Sequence, residues 1–81
     1  MKLVDYTGLE QARQFMAGEH AGQAAGVFAN LPAYVSESQF GFLHLDIVVG
    51  RFGLYLSGPL GAREAIERLA QALIGTLQEV R

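Results

Sequence analysis

The chain has 81 residues, of which 51% are hydrophobic and 17% are charged, and its formal net charge is −2. This length accommodates a single domain over residues 1–81, and because the chain has no cysteine, disulfides and thiolate chemistry are excluded. The six lysine and arginine residues are scattered along the chain, which argues against direct nucleic-acid binding through phosphate contacts.

The N-terminal segment contains a short apolar run over residues 3–6, which indicates an edge strand. Asp5 interrupts any apolar region that a signal peptide would need. The longest unbroken apolar stretches of the chain are also far shorter than the roughly 18 residues of a membrane span. We therefore expect a cytoplasmic protein with no membrane contact.

A first helix is predicted over residues 8–17. Thr7 and Glu10 have the spacing of a capping box, in which each side chain satisfies a backbone N–H group at the start of a helix. The apolar residues that follow recur at helical spacing on one side, namely Leu9, Ala12, Phe15 and Met16.

The segment over residues 19–31 leaves two alternatives open. It is rich in alanine, which favours a helix, but it contains Gly22 and Gly26, and each glycine within a helix costs about 1 kcal/mol relative to alanine. A helix with a flat glycine stripe and a loosely helical connector are therefore both compatible with it. Pro32 ends any such helix because it restricts Leu31 to extended geometry. After Pro32, the sequence predicts the start of a strand at residues 34–35 and a polar turn at residues 36–39.

A β-hairpin is predicted over residues 40–57, where two runs of aromatic and branched residues flank Gly50 and Arg51. A two-residue loop with glycine first suits a type II′ turn, which fixes the pairing register of the strands. In this register one face of the hairpin carries only apolar side chains, from Leu43, Leu45, Ile47, Val49, Phe52, Leu54 and Leu56. The opposite, mixed face carries aromatic and polar residues, chiefly Phe40, Phe42, His44, Asp46, Tyr55 and Ser57, together with Val48.

A second helix is predicted over residues 59–80, with Pro59 in its first turn. Its apolar residues recur in steps of three and four along one face, namely Ala62, Ile66, Leu69, Leu73, Leu77 and Val80. We expect this stripe to cover the apolar face of the hairpin, with help from Phe15 and Met16 of the first helix. The predicted fold is α+β with two layers, in which a small antiparallel sheet centred on the hairpin packs against both helices.

The mixed face of the hairpin holds the residues that could carry chemistry. Ser57, His44 and Asp46 are the residue types of a catalytic triad, but a flat strand face provides no oxyanion hole and does not exclude water. Histidine and aspartate on alternate strand positions could also bind a metal, although His20, His44 and Asp46 lack the spacing of a tight metal motif. We therefore expect a protein that is not an enzyme and has no cofactor or metal.

Exposed aromatic residues beside polar groups are typical of protein–protein interfaces. The predicted partner-binding residues lie on the mixed face, at the hairpin tip and in the adjoining loop: Glu37, Phe40, Phe42, His44, Asp46, Arg51 and Tyr55. Because a chain of this size cannot bury so much apolar surface alone, we also expect a homodimer. Two alternatives remain, a homodimeric ligand-binding or catalytic protein with a pocket between subunits near His44 and Tyr55, and a structural subunit of a larger complex.

In its general build the chain resembles the small proteins with which bacteriophages block host machinery, the anti-CRISPR proteins among them. The likeness lies in the short length, the mild acidity, the absence of cysteine, and the hairpin followed by a helix. The resemblance implies an interaction module that binds and inhibits a larger assembly, such as a Cas protein. It assigns no role to any single residue.

Overall fold

The computed structural model describes residues 1–23 and 26–79, which form one antiparallel sheet flanked by helices. The elements follow in the order β1 (Lys2–Asp5), α1 (Leu9–Glu19), β2 (Gly26–Phe28), β3 (Leu31–Glu37), β4 (Phe42–Val49), β5 (Phe52–Pro59) and α2 (Arg63–Glu79). The strand order within the sheet is β1-β5-β4-β3-β2. The predicted α+β class is confirmed, with a sheet packed against an N-terminal and a C-terminal helix. Neither helix in this part of the chain is long and apolar enough to cross a membrane.

The β4–β5 hairpin has the register that its turn predicts. Gly50 has a φ of 59°, which suits the first position of a type II′ turn. Val49 pairs with Phe52 beside the turn, and the same register continues along both strands. The hairpin begins and ends two residues later than predicted, because its last pair is Phe42 with Pro59.

α2 covers the apolar face of the sheet, here called the inner face. The core on this face consists of aliphatic side chains, namely Ala33, Leu43, Leu45, Ile47, Val49, Leu54, Leu56, Ile66, Ala70 and Ile74. A 3₁₀ turn over Leu60–Ala62 precedes α2, so the helix predicted over residues 59–80 starts as a tighter turn. Its predicted last residue, Val80, lies outside the described residues.

The segment over residues 19–31 contains a strand. The chain turns at Gly22, whose φ is 86°, and then forms β2, which pairs with β3. Ala29 and Asn30 join these two strands and both have positive φ, 52° and 65°, as a type I′ turn requires. Both helical interpretations of this segment are therefore wrong for Gly26–Phe28, which is a strand, while Ala24 and Ala25 lie outside the described residues.

α1 lies on the opposite, outer face of the sheet, where Ala12 and Met16 pack against Tyr34 and Val48. The expectation that Phe15 and Met16 would help to cover the inner face is therefore wrong, and the two helices enclose the sheet in three layers rather than two. The physical reason is that Tyr34 and Val48 form an apolar strip on the outer face, which also needs a cover.

The predicted capping box at the start of α1 does not form. Gly8 is the N-cap residue, and no side chain caps the helix there. Thr7 has a φ of 68°, and this left-handed backbone turns its hydroxyl toward the Tyr6 carbonyl, to which it donates over 2.5 Å. The Thr7 hydroxyl is therefore turned away from Glu10, and α1 begins at Leu9.

Candidate interaction site

The outer face of the sheet, which is the mixed face of the hairpin, divides into two halves. The half nearer the Gly50 turn lies under α1 and is here called the covered half, which consists of Tyr34, Asp46, Val48 and Tyr55. The half beyond the C-terminal end of α1 is here called the open half, which consists of Phe42, His44, Ser57 and Pro59, with Phe40 in the turn before β4. These residues are exposed, whereas those of the covered half are buried or half-buried.

His20, which follows the last residue of α1, attaches the helix to the covered half. Its Nε2 donates to Asp46 Oδ2 over 2.6 Å, and the two side chains are only 15% and 14% exposed. The imidazole also stacks on the Tyr34 ring, with 4.4 Å between the ring centroids. Burial raises the pKa of the Asp46 carboxyl above its usual range, and the hydrogen bond from His20 offsets only part of this rise.

Tyr55 makes a second polar contact between α1 and the covered half. Its hydroxyl donates to Glu19 Oε1 over 2.9 Å and lies 2.5 Å from the Tyr6 hydroxyl, which then donates to it. Burial raises the pKa of Tyr55, and the hydrogen bonds with Tyr6 and Glu19 raise it further. Tyr55 therefore stays protonated as a donor, while Lys2 Nζ lies 5.2 Å from the centroid of its ring, within the range of a cation–π contact.

The triad residue types of the mixed face do not form a triad. His44 and Ser57 are cross-strand partners, as the register predicts. The Asp46 carboxylate, however, accepts from His20 and is not the acid that would orient His44. Within the described residues, no group of three or more histidine, cysteine, aspartate or glutamate side chains could hold a metal ion.

The open half exposes two phenylalanine rings on a hydrogen-bonded turn. Phe40 is 79% exposed and Phe42 is 50% exposed. Ser38 Oγ accepts from the backbone N–H groups of both residues over 3.2 Å. Gly41, with a φ of 82°, closes the turn, and its carbonyl accepts from the Leu60 N–H group over 2.9 Å. The turn therefore holds both rings on a well-defined backbone.

A shallow cleft of about 300 Å³ borders the open half. Its walls come from β1, β4 and β5 and include Lys2, His44, Tyr55 and Ser57. This volume lies at the lower end of the range for small-molecule sites. The cleft places hydroxyl, imidazole and ammonium groups beside the exposed rings.

Two of the predicted partner-binding residues lie away from this surface. Arg51 is at the hairpin tip, where its Nε lies 3.3 Å from Asp5 Oδ2. Glu37 is on the inner face, since it pairs with Leu43, and its Oε1 accepts from Arg63 Nη1 over 3.2 Å. Of the seven predicted partner-binding residues, three lie in the open half: Phe40, Phe42 and His44. Asp46 and Tyr55 lie in the covered half, and Glu37 and Arg51 lie elsewhere.

Sequence reasoning missed the roles of Pro59 and His20. The sequence pattern predicts Pro59 at the start of the second helix, but in the structure it is the last residue of β5 and pairs with Phe42. The predicted hairpin register already implies this pair, because Phe42 and Pro59 are the next outer-face pair after His44 and Ser57. His20 reaches Asp46 across 26 positions of sequence, and its role depends on where the chain runs after α1. No local pattern in the sequence signals that contact.

Comparison with protein-family models, curated proteins and solved structures finds no match to this chain. The candidate site is therefore defined by the geometry of its own residues. Its two defining features are an aromatic open half and a covered half to which α1 is attached by polar contacts.

Proposed function

We propose that the protein is a non-catalytic interaction module that binds a larger protein assembly through its open half. The observation that carries the proposal is the exposure of Phe40 and Phe42 on a hydrogen-bonded turn. Burying a phenylalanine side chain contributes about 1.5–3 kcal/mol. The isolated chain forgoes most of this free energy at two neighbouring positions, and a partner that covers both rings recovers it.

The surroundings of the two rings support a protein as the partner. Phe42 is flanked by His44, Ser57 and Pro59, and none of these is a lysine, aspartate or glutamate, the charged residues that are depleted in protein interfaces. Aromatic residues contribute much of the binding free energy in such interfaces. Because the turn is already ordered by Ser38, binding loses little conformational entropy there.

We further propose that binding inhibits the partner assembly, as the resemblance to small phage-encoded inhibitors implies, with a Cas protein as an example of the partner. A second copy of the chain is the competing occupant, since an exposed apolar patch also favours a homodimer. Both occupants would use the same rings, so the experiment separates them by measuring heterologous binding and self-association in the same variants.

The test compares substitutions of similar chemistry at two distant places on the sheet. The double variant F40S/F42S removes both rings of the open half, whereas Val27→Ser changes an apolar residue of β2 that is 76% exposed. Proteins recovered from lysate with the wild-type chain are identified and purified, and calorimetry then measures each variant's affinity. We expect F40S/F42S to lose about 30-fold or more in affinity and Val27→Ser to lose none.

Sedimentation of the isolated chain distinguishes a foreign partner from a second copy. A wild-type dimer that becomes monomeric in F40S/F42S, but not in Val27→Ser, would assign the open half to self-association. Unchanged affinity of F40S/F42S for the purified partner would contradict the open half as the binding site. Circular dichroism and melting temperature establish that each variant is folded.

A second candidate function is the binding of a small ligand in the cleft beside the open half. The observation that favours it is the convergence of His44, Tyr55 and Ser57 on a space of about 300 Å³. A compound from a metabolite screen that raises the melting temperature of the wild-type chain, but not of His44→Ala, would support this function. A screen in which no compound stabilises the chain would count against it.

A further inference from the structure

α1 is attached to the sheet by few apolar contacts. Of its described residues only Ala12 and Met16 are buried, although the helix also carries Leu9 and Phe15, which are 50% and 60% exposed. A helix held mainly by burial turns its large apolar residues toward the core. Phe15 instead stacks on Tyr6, which precedes the helix, with 5.1 Å between the ring centroids, so the burial of α1 against the sheet rests on Ala12 and Met16.

α1 also makes polar contacts with the sheet, and these lie at its C-terminal end. His20 is joined to Asp46 by a hydrogen bond of 2.6 Å and to Tyr34 by ring stacking. One residue earlier, Glu19 accepts from the Tyr55 hydroxyl over 2.9 Å. Both contacts reach across to the central strands, so the end of the helix is fixed at two adjacent points.

The chain on either side of α1 has turns at which the helix could pivot. Before it, Thr7 has a φ of 68°, and after it, Gly22 has a φ of 86°. A left-handed backbone at a threonine is strained, and strain of this kind is concentrated at switch regions. The β4–β5 hairpin and α2, in contrast, share an aliphatic core that does not include α1.

We propose that α1 is a hinged cover, held closed by the contact between His20 and Asp46, that opens as a unit while the hairpin and α2 stay folded. Opening uncovers Tyr34, Val48 and Tyr55. On β4 this extends the open half from Phe42 and His44 to Val48, so the accessible outer face about doubles in length along the strand. The inference concerns the isolated chain and does not depend on the proposed function.

Amide hydrogen exchange on the full chain tests the hinged cover, because it measures local opening separately from global unfolding. His20→Ala removes both the hydrogen bond and the ring stacking. We expect it to accelerate exchange over residues 9–19 about tenfold or more and to leave exchange in β4 and β5 unchanged. Arg13→Ala is the matched control on α1, since Arg13 is exposed and pairs with Glu10 of the same helix over 3.7 Å, and it should accelerate neither region.

Two results would overturn the hinged cover. Exchange that accelerates equally in α1 and in β4 would show that the helix opens only when the whole domain unfolds. Unchanged exchange in α1 would show that His20 does not hold it closed. If His20→Ala fails to fold, His20→Phe provides the second variant, because it keeps a ring that can stack on Tyr34 and removes the hydrogen bond to Asp46. We expect this variant to accelerate amide exchange in α1 and to leave exchange in β4 unchanged. Unchanged exchange in α1, or faster exchange in β4 as well, contradicts the proposal.

Discussion

The two faces of the sheet are held by different kinds of contact. Among the described residues, α2 and the sheet share an inner-face core of ten buried side chains, all of them aliphatic. The outer-face core contains four of the described residues, two from α1 and two from the sheet. The attachment of α1 also includes ring stacking of Phe15 on Tyr6 and of His20 on Tyr34. Glu19 and His20 add side-chain hydrogen bonds.

This difference indicates a division of roles between the faces. Burial of aliphatic surface is non-directional and is the dominant favourable contribution to folding, so the inner face stabilises the domain. Hydrogen bonds contribute less net free energy each and depend on geometry, which agrees with the proposal that α1 opens without loss of the fold. The open half belongs to the outer face, which is where we place binding.

The largest expected effect is a loss of stability in Ile47→Ala. This side chain is fully buried in the inner core, and its truncation should lower the free energy of unfolding by about 2–5 kcal/mol. Met16→Ala truncates a side chain that is equally buried on the outer face. We expect a smaller loss there, near the lower end of that range, because α1 can shift toward the cavity. Urea unfolding followed by circular dichroism measures both.

Val27→Ala is the control for these two variants. Val27 is 76% exposed, and its truncation should change the free energy of unfolding by less than about 0.5 kcal/mol. A loss in Met16→Ala that equals or exceeds the loss in Ile47→Ala would show that the two faces stabilise the domain equally. That outcome would remove the contrast between them.

The inner face could be predicted because its determinants are local. Alternation along residues 43–56, with glycine at the first position of the turn, fixes both the register and the side that faces the core. In the predicted α2 stripe, Ile66 is buried in this core, and Ala62, Leu73 and Leu77 pack against it. The prediction is wrong for Leu69, which is 48% exposed. β2 could not be predicted in the same way, because a strand of three residues is too short to show a period.

The outer face could be predicted only in part. Phe42 and His44 lie outside the core as predicted, since the hairpin register alone decides their position. Phe40 is also exposed, but it lies in the turn before β4 and not on the predicted strand. The covering of Asp46 and Tyr55 depends on contacts with His20 and Glu19 that span 26 and 36 positions of sequence. Composition and spacing contain no signal for either contact, because His20 and Glu19 are polar and neither belongs to a periodic apolar pattern.

Two glycines of β5 face opposite sides of the sheet and differ in the atoms that surround them. A methyl group on Gly53, which faces outward, would lie 2.6 Å from Cε2 of Tyr6 and 3.0 Å from Cε2 of Tyr55. A methyl group on Gly58, which faces inward, would lie 2.9 Å from Cδ1 of Ile66. We expect Gly53→Ala to cost about 1–3 kcal/mol because two rigid rings must move. Gly58→Ala should cost less than about 1 kcal/mol, because the end of the Ile66 side chain can rotate.

Urea unfolding of the two glycine variants, measured in the same buffer, gives the difference directly. Nuclear magnetic resonance shifts of the ring protons of Tyr6 and Tyr55 should change in Gly53→Ala and stay unchanged in Gly58→Ala. A larger loss of stability in Gly58→Ala would mean that the inner core is the less adaptable of the two. The outer face would then tolerate added volume better than its close ring contacts indicate.

The smallest expected effect is a pH dependence contributed by Asp46. Burial raises the pKa of this carboxyl above its ordinary value of 3.8, so the folded protein holds a proton that the unfolded chain has already released. Between these two pKa values, unfolding releases that proton, and the free energy of unfolding increases as the pH falls. We expect the stability of the wild-type chain relative to Asp46→Asn to increase as the pH is lowered through this range, as measured by urea unfolding.

Asp46→Asn is the appropriate reference, because asparagine keeps the size of the side chain and an acceptor oxygen for His20 but does not titrate. The acidic residues that lie far from Asp46 contribute equally to both proteins, and their effects cancel in the difference. A wild-type chain that instead loses stability relative to Asp46→Asn as the pH falls would show that the contact with His20 outweighs burial at this carboxyl. The outer face would then be held by an ion pair, and raising the ionic strength should weaken the attachment of α1 while leaving the aliphatic inner face unaffected.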